Sequence, residues 1–290
     1  MLVTNACAIE AVPHVMYGDA GPIIKWVGGK TRILKQLIPL LPPNVEELRH
    51  VEPFVGGAAL FFHAGPSRAV LGDINPQLMA TYRCVQTDVE PLLERLHELE
   101  ALHNAFHYYQ MRHRYNHATK LSAVERSALF IYLNKTCFNG LHRVNRRGEF
   151  NVPVGSYSTP RVVGISQLRA AHRTLRGVEL RTGDFSHVLE DAGRGDFVFL
   201  DSPYDVEPGA RNFTAYASSP FGPEQQDQQA DVFRALDRRG CKLMLSNSDT
   251  VANRKRYAGY EISEVTAPRS ISCDGARRLA VVELVVRNYV

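Results

Sequence analysis

The sequence of 290 residues predicts an α/β fold built on a parallel sheet. A strand, a glycine turn, a helix and a second strand follow one another between residues 50 and 73. Strands that alternate with helices are typical of a parallel sheet with helical crossovers. Four further strand signals come after a long helical segment, at 178–181, 197–200, 243–245 and 279–286. We therefore expect the late strands to complete the sheet that the early strands begin.

The elements of the amino-terminal part follow from the spacing of their apolar residues. Apolar side chains recur at helical intervals over 33–41 and stop at the Pro42-Pro43 pair, which cannot continue a helix. Short apolar runs bounded by glycine or aspartate predict the strands. The predicted elements are a helix over 33–41, a strand over 50–55, a helix over 58–63, a strand over 69–73 and a helix over 76–85.

The middle of the chain changes character. Residues 88–132 have a helical period throughout and predict an all-helical insertion. The insertion ends in a polar stretch over 139–155, in which Arg146-Arg147-Gly148 has the composition of a hairpin turn. A further helix is predicted over 223–239, between two of the late strands.

Composition limits the classes to which the chain belongs. With 44% hydrophobic and 22% charged residues, it is typical of a globular protein. No apolar run approaches the ~20 residues that a membrane-spanning helix needs. The five cysteines form no CxxC pair and no cluster with zinc-ligand spacing, so neither a disulfide framework nor a metal site is expected. Residues 1–20 lack the features of a secretory signal and predict a loose amino-terminal extension.

Basic residues are unevenly distributed along the chain. The net charge of +4 permits a polyanionic partner. Residues 135–147 include one lysine and three arginines and no acidic residue. From charge alone, a solvated face explains this segment as well as a nucleic-acid surface does.

Two neighbouring strand ends are candidates for a ligand site. Gly56 follows the first strand, where glycine lets a ligand approach the backbone, and Asp73 ends the next strand, where a carboxylate can accept hydrogen bonds from ribose hydroxyls. Residues 56–61 lack the third glycine of a dinucleotide-binding fingerprint, which argues against a nicotinamide cofactor. A structural turn with a capping aspartate also explains these residues.

A second candidate site follows the apolar strand at 197–200. It consists of the tetrad Asp201, Ser202, Pro203 and Tyr204. The tetrad places a carboxylate and an aromatic ring at the carboxyl end of a strand, where ligands bind in open α/β sheets. Because Asp, Ser and Pro are common turn formers, an ordinary strand-ending turn accounts for the tetrad equally well.

Taken together, these motifs resemble those of the Dam-type (alpha-group, D12 class) DNA N6-adenine methyltransferases. In that family the cofactor site, the recognition segment and the catalytic site occur in this order, and the resemblance extends from about residue 25 to residue 289. The similar segments are 25–30, 52–57, 73–75, 133–134 with 138–140, 147–153, 183–185, 201–204, 213–216, 245–247 with 249–250, and 269–272 with Arg278.

The resemblance implies a Rossmann-like methyltransferase sheet with an inserted helical and hairpin target-recognition segment. It also implies S-adenosylmethionine as the methyl donor and no metal. Trp26 and Lys30 are assigned to the methionine end of this cofactor, Asp73 to its ribose and Asp184 to its adenine. Without the resemblance, Trp26 is interpreted as a core residue and Lys30 as a surface charge. The implied cofactor-binding residues are Trp26, Lys30, Phe54, Gly56, Asp73, Asp184, Phe185 and Asp201.

The tetrad also has an independent chemical rationale. An exocyclic adenine amine is a poor nucleophile because its lone pair is delocalised into the ring. The carboxylate of Asp201 and the backbone carbonyl of Ser202 would each accept a hydrogen bond from this amine and direct its lone pair at the methyl group. Tyr204 would stack on a base that has left the duplex.

The sequence departs from the family pattern at two positions. Ala58 stands where the glycine motif usually has glycine, a change that we expect a small residue to tolerate. Ser202 replaces the first of two prolines in the catalytic motif. Serine lacks the fixed φ of proline. It keeps the backbone carbonyl, which is the group that the family uses, so we expect activity to be retained.

The recognition segment is expected to contact double-stranded DNA. Arginine pairs bidentately with guanine in the major groove, whereas lysine and arginine at phosphates give salt-sensitive affinity. The hairpin resembles those that recognise GATC, and Glu149, Asn151 and Pro153 are expected to hold its shape. The implied DNA-binding residues are Lys25, Asn139, Arg143, Arg146 and Arg147.

The predicted function is site-specific methylation of adenine N6 in duplex DNA. Two alternatives stay open: methylation of the cytosine N4 amine, which uses the same acceptor geometry, and a catalytically silent DNA-binding regulator. We predict a catalytic domain made of 21–87 and 178–290 and a recognition domain over 88–177. No membrane association and no obligate protein partner are indicated, and the expected location is the cytoplasm of a prokaryotic or phage-infected cell, at its DNA.

Overall fold

A single mixed sheet runs through the molecule. The computed structural model describes residues 20–157, 160–162, 164–205, 221–268 and 280–290. The strands in this part of the chain are β1 (Arg49–Glu52), β2 (Ala69–Asp73), β3 (Glu179–Thr182), β4 (Asp196–Leu200), β5 (Lys242–Ser248), β6 (Glu261–Pro268) and β7 (Ala280–Arg287). Their order in the sheet is β3-β2-β1-β4-β5-β7-β6.

The directions of the strands indicate which end of the sheet can bind a ligand. Neighbours from β3 to β5 pair in parallel, whereas β7 is antiparallel to both β5 and β6. The order reverses at β1, which lies between β2 and β4. Open α/β sheets bind ligands at the carboxyl ends of the strands at such a reversal. This topology confirms the predicted Rossmann-like α/β sheet.

The helices agree with most of the sequence predictions. They are α1 (Leu34–Leu37), α2 (Ala59–Ala64), α3 (Pro76–Thr87), α4 (Val89–Ala101), α5 (Ala105–His117), α6 (Ala123–Thr136), α7 (Ile165–Leu175), α8 (Phe185–Val188), α9 (Pro223–Arg238) and α10 (Val251–Arg256). The helix predicted over 33–41 is wrong as a continuous element, since α1 ends at Leu37 and a 3₁₀ turn, Ile38–Leu40, follows. Pro39 explains the break, because it has no backbone N–H to continue the α-helical pattern.

Strand alternation divides the core between the two faces of the sheet. On β4, Val198 and Leu200 join the apolar cluster under α8 and α9, whereas Phe197 and Phe199 join the cluster under α1. A third cluster connects Tyr82 of α3 with the buried side chains of α4, α5 and α6. The predicted helical insertion therefore shares a continuous core with α3.

The polar stretch after α6 forms the predicted hairpin turn. Antiparallel bridges join Val144 to Phe150 and Cys137 to Val154. The turn is organised by Asn145, whose carbonyl accepts from Gly148 N at 2.9 Å and whose Oδ1 accepts from the backbone N–H of Arg147 and Glu149. A side chain that replaces backbone partners in this way is a common turn device of asparagine.

Several sequence expectations fall outside the described residues. They concern residues 1–19 of the amino-terminal extension predicted over 1–20, and the similar segments 213–216 and 269–272 with Arg278. Across the part of the chain that the structure describes, none of the helices has the length and apolar character needed to cross a bilayer.

Candidate active site

A cleft of about 510 Å³ opens at the carboxyl ends of β1, β2 and β4. The structure brings together in this cleft the two sites that the sequence predicted separately. All of the predicted cofactor-binding residues and the whole tetrad line it: Trp26, Lys30, Phe54, Gly56, Asp73, Asp184, Phe185, Asp201, Ser202, Pro203 and Tyr204.

The glycine turn after β1 requires glycine at position 56. Gly56 has a φ of +45°, and a Cβ atom there would lie 2.6 Å from Cδ1 of Trp26. The carbonyl of Gly56 accepts a hydrogen bond from Tyr82 Oη at 2.8 Å, and its N–H donates to Asp73 Oδ2 at 3.2 Å. The turn is thereby fixed to α3 and β2, and Gly56 lines the cleft without a side chain.

Asp73 is a poorly solvated carboxylate at the end of β2. Its Oδ1 accepts from Asn75 N at 2.9 Å, and its Oδ2 accepts from Gly56 N. Burial raises the pKa of Asp73 to about 6, although these backbone hydrogen bonds oppose the shift. Each carboxylate oxygen has two lone pairs, so both retain capacity to accept from a ligand.

An aromatic cluster and an acidic cap form the far wall of the cleft. The rings of Phe54 and Phe185 stack on each other with centroids 5.2 Å apart, and Phe221 packs edge-on against Phe54. Asp184 caps α8, since its Oδ1 accepts from the backbone N–H and the hydroxyl of Ser186. These residues give an apolar surface with one carboxylate at its edge, a suitable lining for an aromatic base.

Lys30 and Asp201 form an ion pair at the floor of the cleft. Lys30 Nζ lies 2.7 Å from Asp201 Oδ1 and donates to the carbonyl of Gly28 at 2.8 Å. Only 4% of the Lys30 side chain is exposed, so the alternative of a surface charge is wrong. A buried ammonium needs such partners because desolvation of a charge is costly.

The environment of Asp201 favours its protonated form more than water does. Burial is the largest cause and raises the pKa of Asp201 to about 6, while Lys30 opposes the shift. The negative charges of Glu283 and Glu52 add to the increase. Glu52 is itself buried and contacts His50 Nε2 at 2.7 Å.

Tyr204 is held by two side chains to which the sequence interpretation assigned no role. Its hydroxyl donates to Glu283 Oε2 at 2.6 Å and lies 2.7 Å from Ser246 Oγ. Lys30 Nζ lies 4.7 Å from the centre of the ring. Burial raises the pKa of Tyr204 well above its ordinary value, so the phenol is neutral. A sequence signal for Glu283 existed, because it is the one carboxylate in the apolar run 281–286.

The backbone of the tetrad is fixed by a buried amide network. The carbonyl of Pro203 accepts from Gln226 Nε2 at 2.9 Å, and Gln226 Oε1 accepts from Asn247 Nδ2 at 3.0 Å. Gln226 belongs to α9 and Asn247 to β5. Two elements distant in sequence therefore hold the loop that follows β4.

The predicted DNA-binding residues lie outside the cleft, on the predicted recognition hairpin (139–155) and at its root, where residues 135–140 contact Lys25. Lys25 Nζ donates to Tyr157 Oη at 2.8 Å and to the carbonyl of Lys135 at 3.2 Å. Asn139 is exposed and has a φ of 54°, in the left-handed region. Arg143 Nε donates across the hairpin to Asn151 Oδ1 at 2.7 Å.

The two arginines at the tip differ from the other residues of the hairpin. Arg146 and Arg147 are exposed, and their side chains make no hydrogen bond or ion pair with the described residues. Glu149 instead accepts from Asn145 Nδ2 at 2.7 Å, as expected of a residue that holds the hairpin shape. Two cationic side chains are thus free to meet an anionic partner.

The sheet order, the antiparallel β7 and the cleft at the strand reversal define a Rossmann-like α/β protein with a ligand site at the carboxyl ends of its strands. A family model described as D12 class N6 adenine-specific DNA methyltransferase matches residues 26–271. The chain belongs to this family. It is an adenine-specific DNA methyltransferase, an enzyme whose substrate is DNA. Membership of this family favours adenine over cytosine as the target base. It also favours an enzyme over a catalytically silent regulator.

Two relatives in sequence agree with this assignment. The chain is 39% identical to "Type II methyltransferase M.MjaIII" of Methanocaldococcus jannaschii, over 93% of this chain and 100% of that protein. It is 34% identical to "DNA adenine methylase" of Escherichia coli, over 90% of this chain and 92% of that protein. Among solved structures, an rRNA methyltransferase from Streptomyces viridochromogenes has a TM-score of 0.36 at 13% identity, over 88% of this chain and 82% of that one.

Proposed function

We propose that the cleft binds S-adenosylmethionine and that the enzyme methylates the N6 amine of an adenine flipped out of duplex DNA, within GATC. Residues 88–177 would recognise the DNA, and 21–87 with 178–290 would carry the cofactor and the reaction. The proposal combines the adenine specificity of the family with the groups that the cleft leaves available.

Two unoccupied acceptors carry the proposal. Asp201 Oδ1 is engaged by Lys30, whereas Asp201 Oδ2 and the carbonyl of Ser202 accept no hydrogen bond from the described residues. An adenine amine has two N–H groups and needs two acceptors to lose its conjugation with the ring. The adjacent Tyr204 supplies an aromatic face on which a flipped base can stack.

The residues present fit the proposed cofactor. The cleft volume is within the range of about 300–1,000 Å³ that small-molecule sites occupy. Asp73 would accept from the ribose hydroxyls, the aromatic wall of Phe54 and Phe185 would pack on the adenine, and Trp26 with Lys30 would border the methionine end. When bound, S-adenosylmethionine supplies an electrophilic methyl group on a sulfonium centre.

The side chains around the tetrad suit the charge changes of the reaction. Positive charge develops on the amine nitrogen during methyl transfer, and the carboxylate of Asp201 stabilises it. The same carboxylate can take the amine proton as the nitrogen returns to neutrality, and its side chain is 19% exposed, so the proton can pass to solvent. Glu283 and Ser246 fix the hydroxyl of Tyr204, which keeps the ring in one orientation.

A methyl-transfer assay tests the reaction. Asp201→Asn keeps the size of the side chain but removes its charge, and we expect the single-turnover rate on unmethylated GATC duplex to fall by about 10²–10³-fold. Binding of the duplex should change by less than about twofold, because the lost interaction belongs to the transition state. Asp231→Asn, at an exposed carboxylate of α9, is the matched control and should keep the wild-type rate.

Calorimetry tests the cofactor role of Asp73. Asp73→Ala should weaken cofactor binding by about 1.5–3 kcal/mol, the usual contribution of hydrogen bonds to a charged group. Unchanged cofactor affinity would reject the ribose assignment.

Label found on cytosine in the methyl-transfer assay would reject adenine as the target base. Equal labelling of duplexes with and without GATC would reject GATC as the recognition site.

A further inference from the structure

The segment before the first helix is clamped to the root of the recognition hairpin. Asn134 of α6 accepts from the backbone N of Lys25 at 2.7 Å and donates to the carbonyl of Lys25 at 2.8 Å. Its Nδ2 also lies 3.2 Å from the carbonyl of Gly140, which belongs to the hairpin root. Asn134 is 1% exposed, so one buried amide ties both backbones together.

The next residue, Trp26, contacts both the hairpin and the cofactor cleft. Its ring stacks on His142, with centroids 5.5 Å apart and planes 23° from parallel. The same ring lies against Gly56 so closely that no Cβ would fit, and it lines the cleft. A shift of the Trp26 ring therefore changes its packing both against His142 of the hairpin and against Gly56 of the cleft.

The segment then continues to the catalytic carboxylate. The carbonyl of Gly28 accepts from Lys30 Nζ, and Lys30 holds Asp201. Six consecutive residues thus connect the hairpin root, the glycine turn and the tetrad through direct contacts.

His142 is built to stack rather than to exchange protons or to bind DNA. It is 8% exposed and packs between Phe130 and Phe150, with centroids 5.5 and 5.9 Å away. Its Nδ1 is buried without a hydrogen-bond partner. Burial lowers its pKa to about 4, so the ring is neutral near pH 7. The flat face is the part of this side chain that the structure uses.

We propose that His142 is a positioning residue through which the recognition hairpin and the cofactor cleft bind their ligands cooperatively. The hairpin holds His142, His142 holds Trp26, and Trp26 forms one wall of the cleft. Binding of DNA at the hairpin then raises cofactor affinity, and by linkage the cofactor raises DNA affinity by the same factor. This inference rests on the proposed function, since it needs both ligands to bind.

The test measures the coupling directly. Calorimetric titration of S-adenosylhomocysteine, the demethylated cofactor, gives its affinity with and without a saturating unmethylated GATC duplex. We expect the duplex to raise that affinity at least about fivefold in the wild type. His142→Phe keeps a flat ring and should retain the effect, whereas His142→Leu keeps apolar volume without the ring and should reduce it below about twofold.

The fluorescence of Trp26 tests the same coupling without an activity assay. Trp26 is the sole tryptophan of the chain, so its fluorescence reports on this wall alone. Addition of duplex without cofactor should change the emission of the wild type and of His142→Phe but not of His142→Leu. Phe233→Leu, at a buried ring in the core under α9, controls for general loosening and should keep both the coupling and the fluorescence response.

Each outcome decides the proposal. Independent binding of the two ligands to the wild type, or full coupling in a folded His142→Leu variant, overturns it. If the leucine variant does not fold, loss of coupling in folded His142→Phe overturns it and retention supports it. A wild type that binds neither ligand rejects the proposed function itself, which distinguishes that failure from failure of the coupling.

Discussion

At the scale of single residues, the carboxylate of Asp201 combines two demands that oppose each other. In the proposed reaction it must be desolvated to act strongly on the amine, and it must be ionised to act at all. Burial and the charges of Glu283 and Glu52 favour the neutral acid, whereas the ammonium of Lys30 favours the anion. The result is a pKa of about 6, near enough to neutrality for the group to be mostly ionised at pH 7 and able to accept a proton.

The first prediction concerns the pH profile of methyl transfer. Since the protonated acid cannot accept from the amine through the same oxygen, kcat/KM should be constant above pH 7 and fall about tenfold per unit well below pH 6. Glu283→Gln removes one nearby negative charge and should move the midpoint to lower pH. Steady-state assays from pH 5 to 8 check this, and a flat profile down to pH 5 would contradict it.

Ala58 has a backbone conformation that explains why the family prefers glycine there. Its φ and ψ are 55° and 35°, in the left-handed region, just before α2 begins. A side chain in this region costs about 1–2 kcal/mol, but the buried methyl group returns about 0.8 kcal/mol and alanine restricts the unfolded chain more than glycine does. Alanine is thus expected to be tolerated at position 58 because the backbone strain is nearly offset by the buried methyl group and the restricted unfolded chain.

The second prediction follows from that balance. Ala58→Gly should leave the free energy of unfolding within about 0.5 kcal/mol of the wild type, because relief of strain offsets the lost methyl group and the added chain entropy. Ala128→Gly, at a buried position inside α6, has no strain to relieve and should lose about 1–2 kcal/mol. Urea unfolding of both variants measures the difference, and equal losses would show that Ala58 is unstrained.

At the scale of elements, the recognition hairpin combines fixed arms with a free tip. Tyr108 Oη of α5 donates to the carbonyl of Val152, and Asn116 both donates to and accepts from the backbone of Phe150. The tip extends beyond these anchors and presents Arg146 and Arg147. A rigid base would limit the entropy lost in the proposed contact of the tip with DNA.

The third prediction distinguishes base recognition from general attraction at that tip. If Arg146 or Arg147 pairs with a guanine edge, its replacement by alanine should cost about 1–3 kcal/mol on the preferred site and relax discrimination at one base position. If it holds only phosphate, affinity should fall equally on all sequences and the slope of log affinity against log salt should shrink by about one unit. We expect the first pattern for at least one of the two arginines.

Binding titrations on GATC and single-base-altered duplexes, at two salt concentrations, separate these patterns. Arg238→Ala is the matched control, because Arg238 is an exposed arginine of α9 and lies outside the proposed recognition segment over 88–177. It should leave both affinity and discrimination unchanged. Identical losses on every duplex for both tip variants would refute base recognition by the tip.

At the scale of the whole molecule, the two proposed functional domains are not separate folding units. The cluster that contains Leu78 and Tyr82 of α3 also contains Leu92 of α4 and Phe130 of α6. Helices of the recognition segment therefore bury their apolar faces against an element of the catalytic part. Neither the proposed recognition domain nor the proposed catalytic domain would keep a complete core if the other were absent.

The fourth prediction is a single cooperative unfolding transition. Calorimetry of the whole chain should show one peak, with equal calorimetric and van't Hoff enthalpies, because the shared core couples both segments. S-adenosylhomocysteine at about 100 times its Kd should stabilise the folded state by about 2.7 kcal/mol and move the whole peak. Two peaks, of which only one responds to this ligand, would indicate independent domains.

Local signals were sufficient for the elements and groups that the sequence predicted correctly. The strand at 69–73, the helix that begins at Pro76 and the hairpin turn at Arg146-Arg147-Gly148 each depend on neighbouring residues, so periodicity and turn chemistry determined them. The glycine turn and the tetrad were located for the same reason, since a strand end is a local feature. Their convergence in one cleft follows from parallel pairing, which aligns carboxyl ends at one edge.

Only the tertiary structure decided what surrounds those groups. β6 went unpredicted because its side chains lack a strong apolar run, and pairing with β7 defines it. The pairs Lys30 with Asp201, Glu283 with Tyr204 and Trp26 with His142 join residues 79 or more positions apart. No local pattern encodes such contacts, because they arise from the order in which strands and helices pack. The sequence determined which chemical groups are present, and the packing determined their burial, their contact partners and the direction in which their pKa values shift.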